Sequence, residues 1–254
     1  MSDNSPSDSA GAPPSILVDE QDGVVSIVLN NAERGNALGP DLVEALTQQI
    51  ALCTDRDDVH TLALYGSGAS FCTGFDWSDV DTASDGDLLL RFVRIELLLQ
   101  AVWTAPLRTV ACVHGRAWGA GADLVAACDV RLAQAATTFR FPGAAFGIVL
   151  GTRRLAERIG ATQARAIVTS GREIGAPEAL RLGLVTGIVE QSGADAVAAL
   201  PEPRVDRATL AGIARATGAG MEDADLSNLV RSAARGGLGE RLRRYRAGLR
   251  RAPG

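Results

Sequence analysis

His114-Gly115-Arg116-Ala117-Trp118-Gly119-Ala120-Gly121-Ala122-Asp123-Leu124 stands between an apolar, strand-like run and the alanine-rich Val125-Ala126-Ala127-Cys128. Its small residues leave the backbone bare where a helix should begin. The unpaired N–H groups of that first turn can face a ligand that carries or develops negative charge. Asp123 follows Ala120 by three residues, which on a helix sets its carboxyl on the same side as the Ala120 amide. One short segment therefore offers an anion cradle and a candidate acid or base.

A second loop complements it. Thr61-Leu62-Ala63-Leu64-Tyr65 reads as a buried strand that runs through Gly66-Ser67-Gly68-Ala69-Ser70-Phe71-Cys72-Thr73-Gly74-Phe75-Asp76-Trp77 into a polar stretch. The two loops carry the patterns G-x-G-x-x-F-C-x-G-x-D and V-x-G-x-A-x-G-x-G-x-[ED]-L, in that order. In these residues the chain resembles the enoyl-CoA hydratase/isomerase (crotonase) superfamily. The likeness extends to residues 30–38 and 171–189, where Pro177-Glu178-Ala179-Leu180-Arg181-Leu182-Gly183-Leu184-Val185 is similar to the family's A-x-E-A-x-x-x-G-L-V stretch.

The resemblance implies an α/β fold, a crotonase-like spiral of ββα units with a helical C-terminal region. It also implies an acyl-CoA thioester as substrate, with coenzyme A present only as part of that substrate and no separate cofactor. Carried over residue by residue, the family pattern makes the N–H groups of Phe75 and Ala120 the two donors to a thioester oxygen. Asp123 becomes the catalytic acid or base. Gly74, Asp76, Trp77, Trp118, Gly121 and Gly143 fall in the substrate-binding loops. Arg34 and Ala37 belong to the loop that lies beside coenzyme A in the family, where Arg34 meets a phosphate or is a solvated surface arginine.

The pattern departs from its relatives where protons are handled. Hydratases of the family carry one glutamate in the G-x-G-x-E-L motif and a second just after F-x-x-P. Here the first position is Asp123, and the second, in Phe139-Arg140-Phe141-Pro142-Gly143, is Gly143. Glycine transfers no proton, and aspartate reaches roughly 1.5 Å less far than glutamate. The resemblance therefore implies a lyase or isomerase that stabilises an enolate with one carboxyl group. The alternatives are an acyl-CoA-binding protein without turnover, and a decarboxylase or thioester hydrolase for which a second glutamate is unnecessary. Among the other polar residues, Asp76 and His114 are further proton-handling candidates, His114 also reading as a buried, hydrogen-bonded histidine. Arg140 and Arg153 suit either a carboxylate or phosphate ligand or surface pairing.

Composition narrows the classes. All 25 basic residues are arginine, so Schiff-base chemistry on lysine is excluded. A net charge of -5 argues against general nucleic-acid binding. No run approaches a membrane span. Cys53, Cys72, Cys112 and Cys128 show no metal-ligand spacing, and no metal site is expected.

Along the chain, Asp22-Gly23 predicts a hairpin turn. Pro40 opens a helix over residues 41–53, and residues 85–104 form a long amphipathic helix on which Glu96 is expected as an exposed face charge. Leu107 begins the strand that leads to the central motif. Beyond it come short strands at 130–133 and 138–141, with Pro142-Gly143 as a turn after them. Two helices follow, divided at Gly160, and Gly183 caps a later helix before a last strand. Residues 1–15 read as a disordered tail without signal-peptide character, which makes the cytoplasm the expected location. Residues 16–200 read as the core domain. Residues 201–254 are helical and arginine-rich, and the resemblance implies that they build a trimer or a dimer of trimers. Arg241, Arg243, Arg244, Arg246, Arg250 and Arg251 in this region suit a solvated face, a subunit contact or the phosphates of coenzyme A.

Overall fold

A computed structural model of the chain describes residues 13–190, 193–218 and 220–249. Most of the predicted tail lies outside these residues, although the carbonyls of Pro14 and Ser15 accept hydrogen bonds from Asn30. Strands β1 (Ile16–Gln21) and β2 (Val24–Leu29) form the expected hairpin. Its turn residues Asp22 and Gly23 both have positive φ, 49° and 73°, as a two-residue turn matched to strand twist requires. Val25, Ile27 and Leu29 alternate inward from β2. Helix α1 (Pro40–Thr54) starts on proline, and β3 (Thr61–Gly66) is buried along almost its whole length, as an inner parallel strand must be.

Helix α2 (Asp85–Trp103) is opened by a capping box in which Ser84 and Asp87 satisfy each other's backbone amides. The chain then enters β4 (Arg108–Val113), β5 (Arg116–Trp118) and α3 (Ala120–Ala127), followed by β6 (Val130–Gln134) and β7 (Thr138–Arg140). Pro142–Phe146 is a 3-10 turn rather than a simple reversal, and leads to α4 (Thr152–Ile159) and α5 (Ala161–Ser170), which part at Gly160. Strand β8 (Glu173–Gly175), α6 (Ala176–Leu182) and β9 (Gly187–Val189) complete the spiral, with Gly183 at φ 90° capping α6. Helices α7 (Ala194–Ala198), α8 (Arg207–Gly218), α9 (Glu222–Ala233) and α10 (Leu238–Leu249) make up the helical C-terminal region.

Two sheets result. The larger has the order β1-β2-β3-β4-β6-β9, parallel except at β1, and the smaller has the order β5-β7-β8. Successive turns of the spiral place β4 and then β5, β6 and then β7, one in each sheet. The loops between paired strands are thereby stacked above one another, and both motif loops lie in that stack. The main core runs continuously from Val25 to Leu242 and includes residues of α1 to α6, α9 and α10. A smaller cluster covers the opposite face of the large sheet, where Val197 packs on Ala63, Tyr65 and Cys112.

Glu96 corrects the expectation of an exposed charge. It is 1% exposed, because α9 covers the face of α2 on which it stands. Its carboxylate accepts from both terminal nitrogens of Arg154 on α4, at 3.1 and 2.7 Å. Asp225 on α9 joins the cluster through Arg154 at 3.3 Å and Arg153 at 2.8 Å.

Candidate active site

The first motif loop is pinned from inside. Asn36, fully buried at a positive φ of 55°, donates to the carbonyls of Ser67, Ser70 and Phe71 at 2.8, 2.8 and 3.2 Å. Asparagine tolerates that backbone region better than most residues. Arg91 of α2 holds the far end of the loop: it donates to the Asp76 carbonyl at 2.6 Å, and its guanidinium lies 4.4 Å from the centre of the Phe75 ring. Sequence reading overlooked both residues.

The second loop is zipped onto the first. Cys72 N–H donates to the Arg116 carbonyl at 3.1 Å, and Trp118 N–H returns a bond to the Cys72 carbonyl at 3.0 Å. Glycine is required at the crossing. A Cβ on Gly121 would stand 2.3 Å from the Cys72 oxygen, and one on Gly74 (φ 92°) would stand 2.5 Å from the Trp118 oxygen and 3.1 Å from the Ala120 nitrogen. The peptide that carries the Phe75 N–H thus runs alongside the Ala120 N–H, the first of α3. Among the described residues neither amide is engaged by a backbone carbonyl. Both are left for a guest.

Phe75 and Ala120 border a cavity of about 130 Å³ whose walls also include Gly119, Asp123, Gly143, Trp77 and Trp118. Most of its remaining wall is aromatic or aliphatic, and Arg140 contributes the only guanidinium among the described lining residues. Arg140 donates through Nε to the Gly171 carbonyl at 2.8 Å and faces the Trp118 ring at 5.9 Å. Gly143 stands on the cavity wall with no carboxyl group to offer. A Cβ there would lie 3.0 Å from the Ile148 carbonyl oxygen.

Asp123 is 5% exposed, and its Oδ1 is buried without a hydrogen-bond partner. The carboxyl presses on Gly151 at the start of α4, where a Cβ would come within 2.3 Å of Oδ1. Burial drives its pKa well above the ordinary carboxyl range; the positive charge of Arg154 opposes the shift and the negative charge of Glu96 adds to it. Burial therefore favours the protonated form of the Asp123 carboxyl.

The remaining predicted residues stand behind this wall. Asp76 accepts from Ser78 N–H at 2.9 Å and from Arg34 at 3.4 Å, with Gly39 against its carboxylate. Arg34 is exposed over 58% of its side chain, and Ala37 is buried. The Arg34 loop reaches the cavity at Thr73, whose N–H donates to the Gly35 carbonyl at 2.9 Å. Gly74 and Gly121 shape the loops rather than line the cavity. His114 is half-buried, with Nε2 2.9 Å from the Gly68 carbonyl. Arg153 lies outside the cavity, paired with Asp225 and Glu157.

Of the C-terminal arginines, Arg250 and Arg251 lie outside the described residues, Arg244 pairs with Glu240, and three bind this chain's own backbone. Arg241, Arg243 and Arg246 donate to the carbonyls of Phe146, Val80 and Trp77 at 2.9, 3.2 and 3.1 Å. They seat α10 over the cavity, which Tyr245 and Leu249 close. No local sequence signal announced this, because each arginine meets a carbonyl far away along the chain.

Comparison with known proteins agrees with this architecture. The enoyl-CoA hydratase/isomerase family profile matches residues 19–200. A crystal structure of a putative enoyl-CoA hydratase/isomerase from Bordetella parapertussis superposes with a TM-score of 0.87 at 40% identity, covering 92% of this chain and 99% of that one. A probable enoyl-CoA hydratase of Mycobacterium bovis is 34% identical over 72% of this chain and 74% of its own length. The mitochondrial enoyl-CoA hydratase domain-containing protein 3 of Danio rerio is 32% identical over 69% of this chain, which spans 62% of that relative. An ethylmalonyl-CoA decarboxylase of Mus musculus is 31% identical over 69% of this chain and 56% of its own length. The two interlocked glycine loops, the paired sheets and these matches together make the chain a member of the enoyl-CoA hydratase/isomerase family, with the crotonase fold.

Proposed function

We propose that the protein acts on an acyl-CoA thioester, binding its carbonyl oxygen between the N–H groups of Phe75 and Ala120. The observation that carries this reading is the pair of unengaged amides at one cavity with the sealed carboxyl of Asp123 beside them. As the thioester becomes an enolate, negative charge gathers on that oxygen, and each preorganised donor contributes on the order of 3 kcal/mol to its stabilisation. Asp123 then gives a proton to the substrate carbon or receives one from it. Gly143 leaves no second carboxyl to activate water, so a two-carboxylate hydration is not part of the proposal.

A buried carboxyl held toward its protonated form favours one reaction class within this scheme, namely decarboxylation of a malonyl-type thioester. The bond between Cα and the free carboxylate breaks, its electron pair enters the enolate, and carbon dioxide leaves. The Asp123 O–H then protonates Cα, and solvent restores the proton to Asp123. The name of the mouse relative points the same way, and Arg140 supplies a cation for the substrate carboxylate before it is lost.

A panel of enoyl-, malonyl- and saturated acyl-CoA esters, analysed by mass spectrometry, tests the reading. Turnover of at least one ester is expected, with Asp123→Asn retaining ester binding but losing product formation by about 10²-fold or more. Full activity in Asp123→Asn would remove the acid from the scheme. Tight binding without turnover would leave an acyl-CoA-binding protein, and free CoA without carbon dioxide would indicate thioester hydrolysis. A trimer or dimer of trimers and a cytoplasmic location remain part of the proposal, to be tested by light scattering and cell fractionation. Among the described residues no helix is long and apolar enough to cross a membrane.

A further inference from the structure

The acyl cavity does not end in solid protein. Ala144, Phe146, Tyr245 and Leu249 border it on one side and line a second, more open groove of about 550 Å³ on the other. These side chains are a partition between two spaces. A chain of ring contacts leads to it from the amide site: Phe75 meets Trp77 at 5.7 Å between ring centres, Trp77 meets Phe146 at 5.7 Å and Tyr245 at 6.0 Å, and Phe146 meets Tyr245 at 4.9 Å. An acyl chain held by its carbonyl at Phe75 and Ala120 has apolar wall along this route and meets Tyr245 at its end.

We infer that Tyr245, backed by Phe146 and Leu249, sets the acyl length, restricting the enzyme to short acyl groups of about four to six carbons. The inference rests on the acyl-CoA reading above and adds the substrate class. Its size argument is direct. An apolar cavity of about 150 Å³ accommodates one benzene molecule, so the 130 Å³ here takes a group of similar carbon count. The partition is held in place, because α10 is anchored at its start by Asp85, which accepts from Leu238 and Gly239 N–H at 3.0 and 2.8 Å. Arg241 and Arg246 add the bonds to the carbonyls of Phe146 and Trp77 described above. A longer chain would have to displace an anchored helix. Removing the Tyr245 ring joins the cavity to the groove and gives that chain a path.

Isothermal titration calorimetry with saturated acyl-CoA esters of 2, 4, 6, 8, 10 and 12 carbons tests the inference. These esters have no double bond to hydrate and no carboxylate to lose. In the wild type, affinity is expected to rise by roughly fourfold for each methylene that finds apolar wall, then to stop rising or fall beyond about six carbons. In Tyr245→Ala the rise is expected to continue, favouring the decanoyl over the hexanoyl ester by tenfold or more relative to wild type. Leu249→Ala, a smaller opening of the same partition, is expected to shift the break less. An unbroken climb to twelve carbons in the wild type overturns the inference and leaves the acyl-CoA reading standing. So does an unmoved break in Tyr245→Ala and Leu249→Ala proteins that melt as single folded species. Failure of every ester to bind overturns both.

Discussion

At the scale of single residues, Asp123 trades stability for chemistry. Burial holds its carboxyl toward the protonated form in the folded chain, while the unfolded chain ionises it in the ordinary carboxyl range, so between the two pKa values the folded state binds the extra proton. Stability associated with this group is complete at pH values below the unfolded carboxyl range and declines as pH rises toward the elevated folded value. Asp123→Asn, which cannot ionise, is therefore expected to raise Tm at pH 7 to 8 by roughly 2–6 °C, a gain of about 1–2 kcal/mol, while abolishing turnover. The gain should vanish near pH 4. Calorimetric melts of both proteins across pH check this, and equal Tm differences at all pH values would contradict a carboxyl held toward its protonated form. Gly143 gives a second expectation. Gly143→Glu should not produce a hydratase, because its Cβ must fit within 3.0 Å of the Ile148 carbonyl, and it should cost about 1–3 kcal/mol in stability. Urea unfolding together with a crotonyl-CoA hydration assay measures both. Ala120 and Asp123 could be picked out because glycine spacing at a strand-to-helix turn is a local pattern, and Phe75 came from the family resemblance; all three border the cavity. Asn36, Arg91 and Tyr245 could not be picked out, since their partners are supplied by segments far away in the chain.

Among elements, the same contrast holds. The first hairpin, α1, α2 and the break at Gly160 could be read from Asp-Gly, Pro, apolar periodicity and glycine. Strands β5 (Arg-Ala-Trp) and β8 (Glu-Ile-Gly) could not, for each has a single fully buried residue and no apolar run to mark it. The contact that ties α2 to α4 and α9 was misread for a related reason. Glu96 and Arg154 are 58 residues apart, and a glutamate within a helix looks the same whether solvent or an arginine faces it. Their pairing matters twice. Removing one member of a buried ion pair leaves the other charge uncompensated, so Glu96→Gln is expected to destabilise the protein by about 3 kcal/mol. Replacing both Glu96 and Arg154 by leucine should cost less. Glu96→Gln also leaves the positive field of Arg154 at Asp123 unopposed, and the acid should ionise at lower pH than in the wild type. Arg154→Met should move it the opposite way. A pH profile of turnover, or of the Asp123 carboxyl signal in isotope-labelled protein, separates this from a general loss of structure, which would not send the two variants in opposite directions.

For the whole molecule, the continuity of the core from β2 to α10 predicts that folding and site closure are one event. Leu242 is fully buried yet absent from the cavity lining, so its contribution to the site passes through the seating of α10. Helix α10 in turn carries Tyr245 and rests on α2, the helix that supplies Phe92 to the cavity and Arg91 to the first motif loop. Truncating a buried leucine costs about 2–5 kcal/mol through lost burial and the void left behind. Leu242→Ala is therefore expected to lower Tm by roughly 5–15 °C and, at temperatures where the chain is still folded, to weaken binding of butyryl-CoA by several-fold. Differential scanning calorimetry should show one transition for the wild type and one, displaced downward, for the variant. Were α10 an independent flap, the variant would instead show a separate early transition, and circular dichroism and the combined tryptophan emission, to which Trp77 contributes, would cease to melt together. Coincident melts with weakened butyryl-CoA binding would mean that the helix closing the cavity belongs to the same cooperative unit as the sheet that positions the two amides.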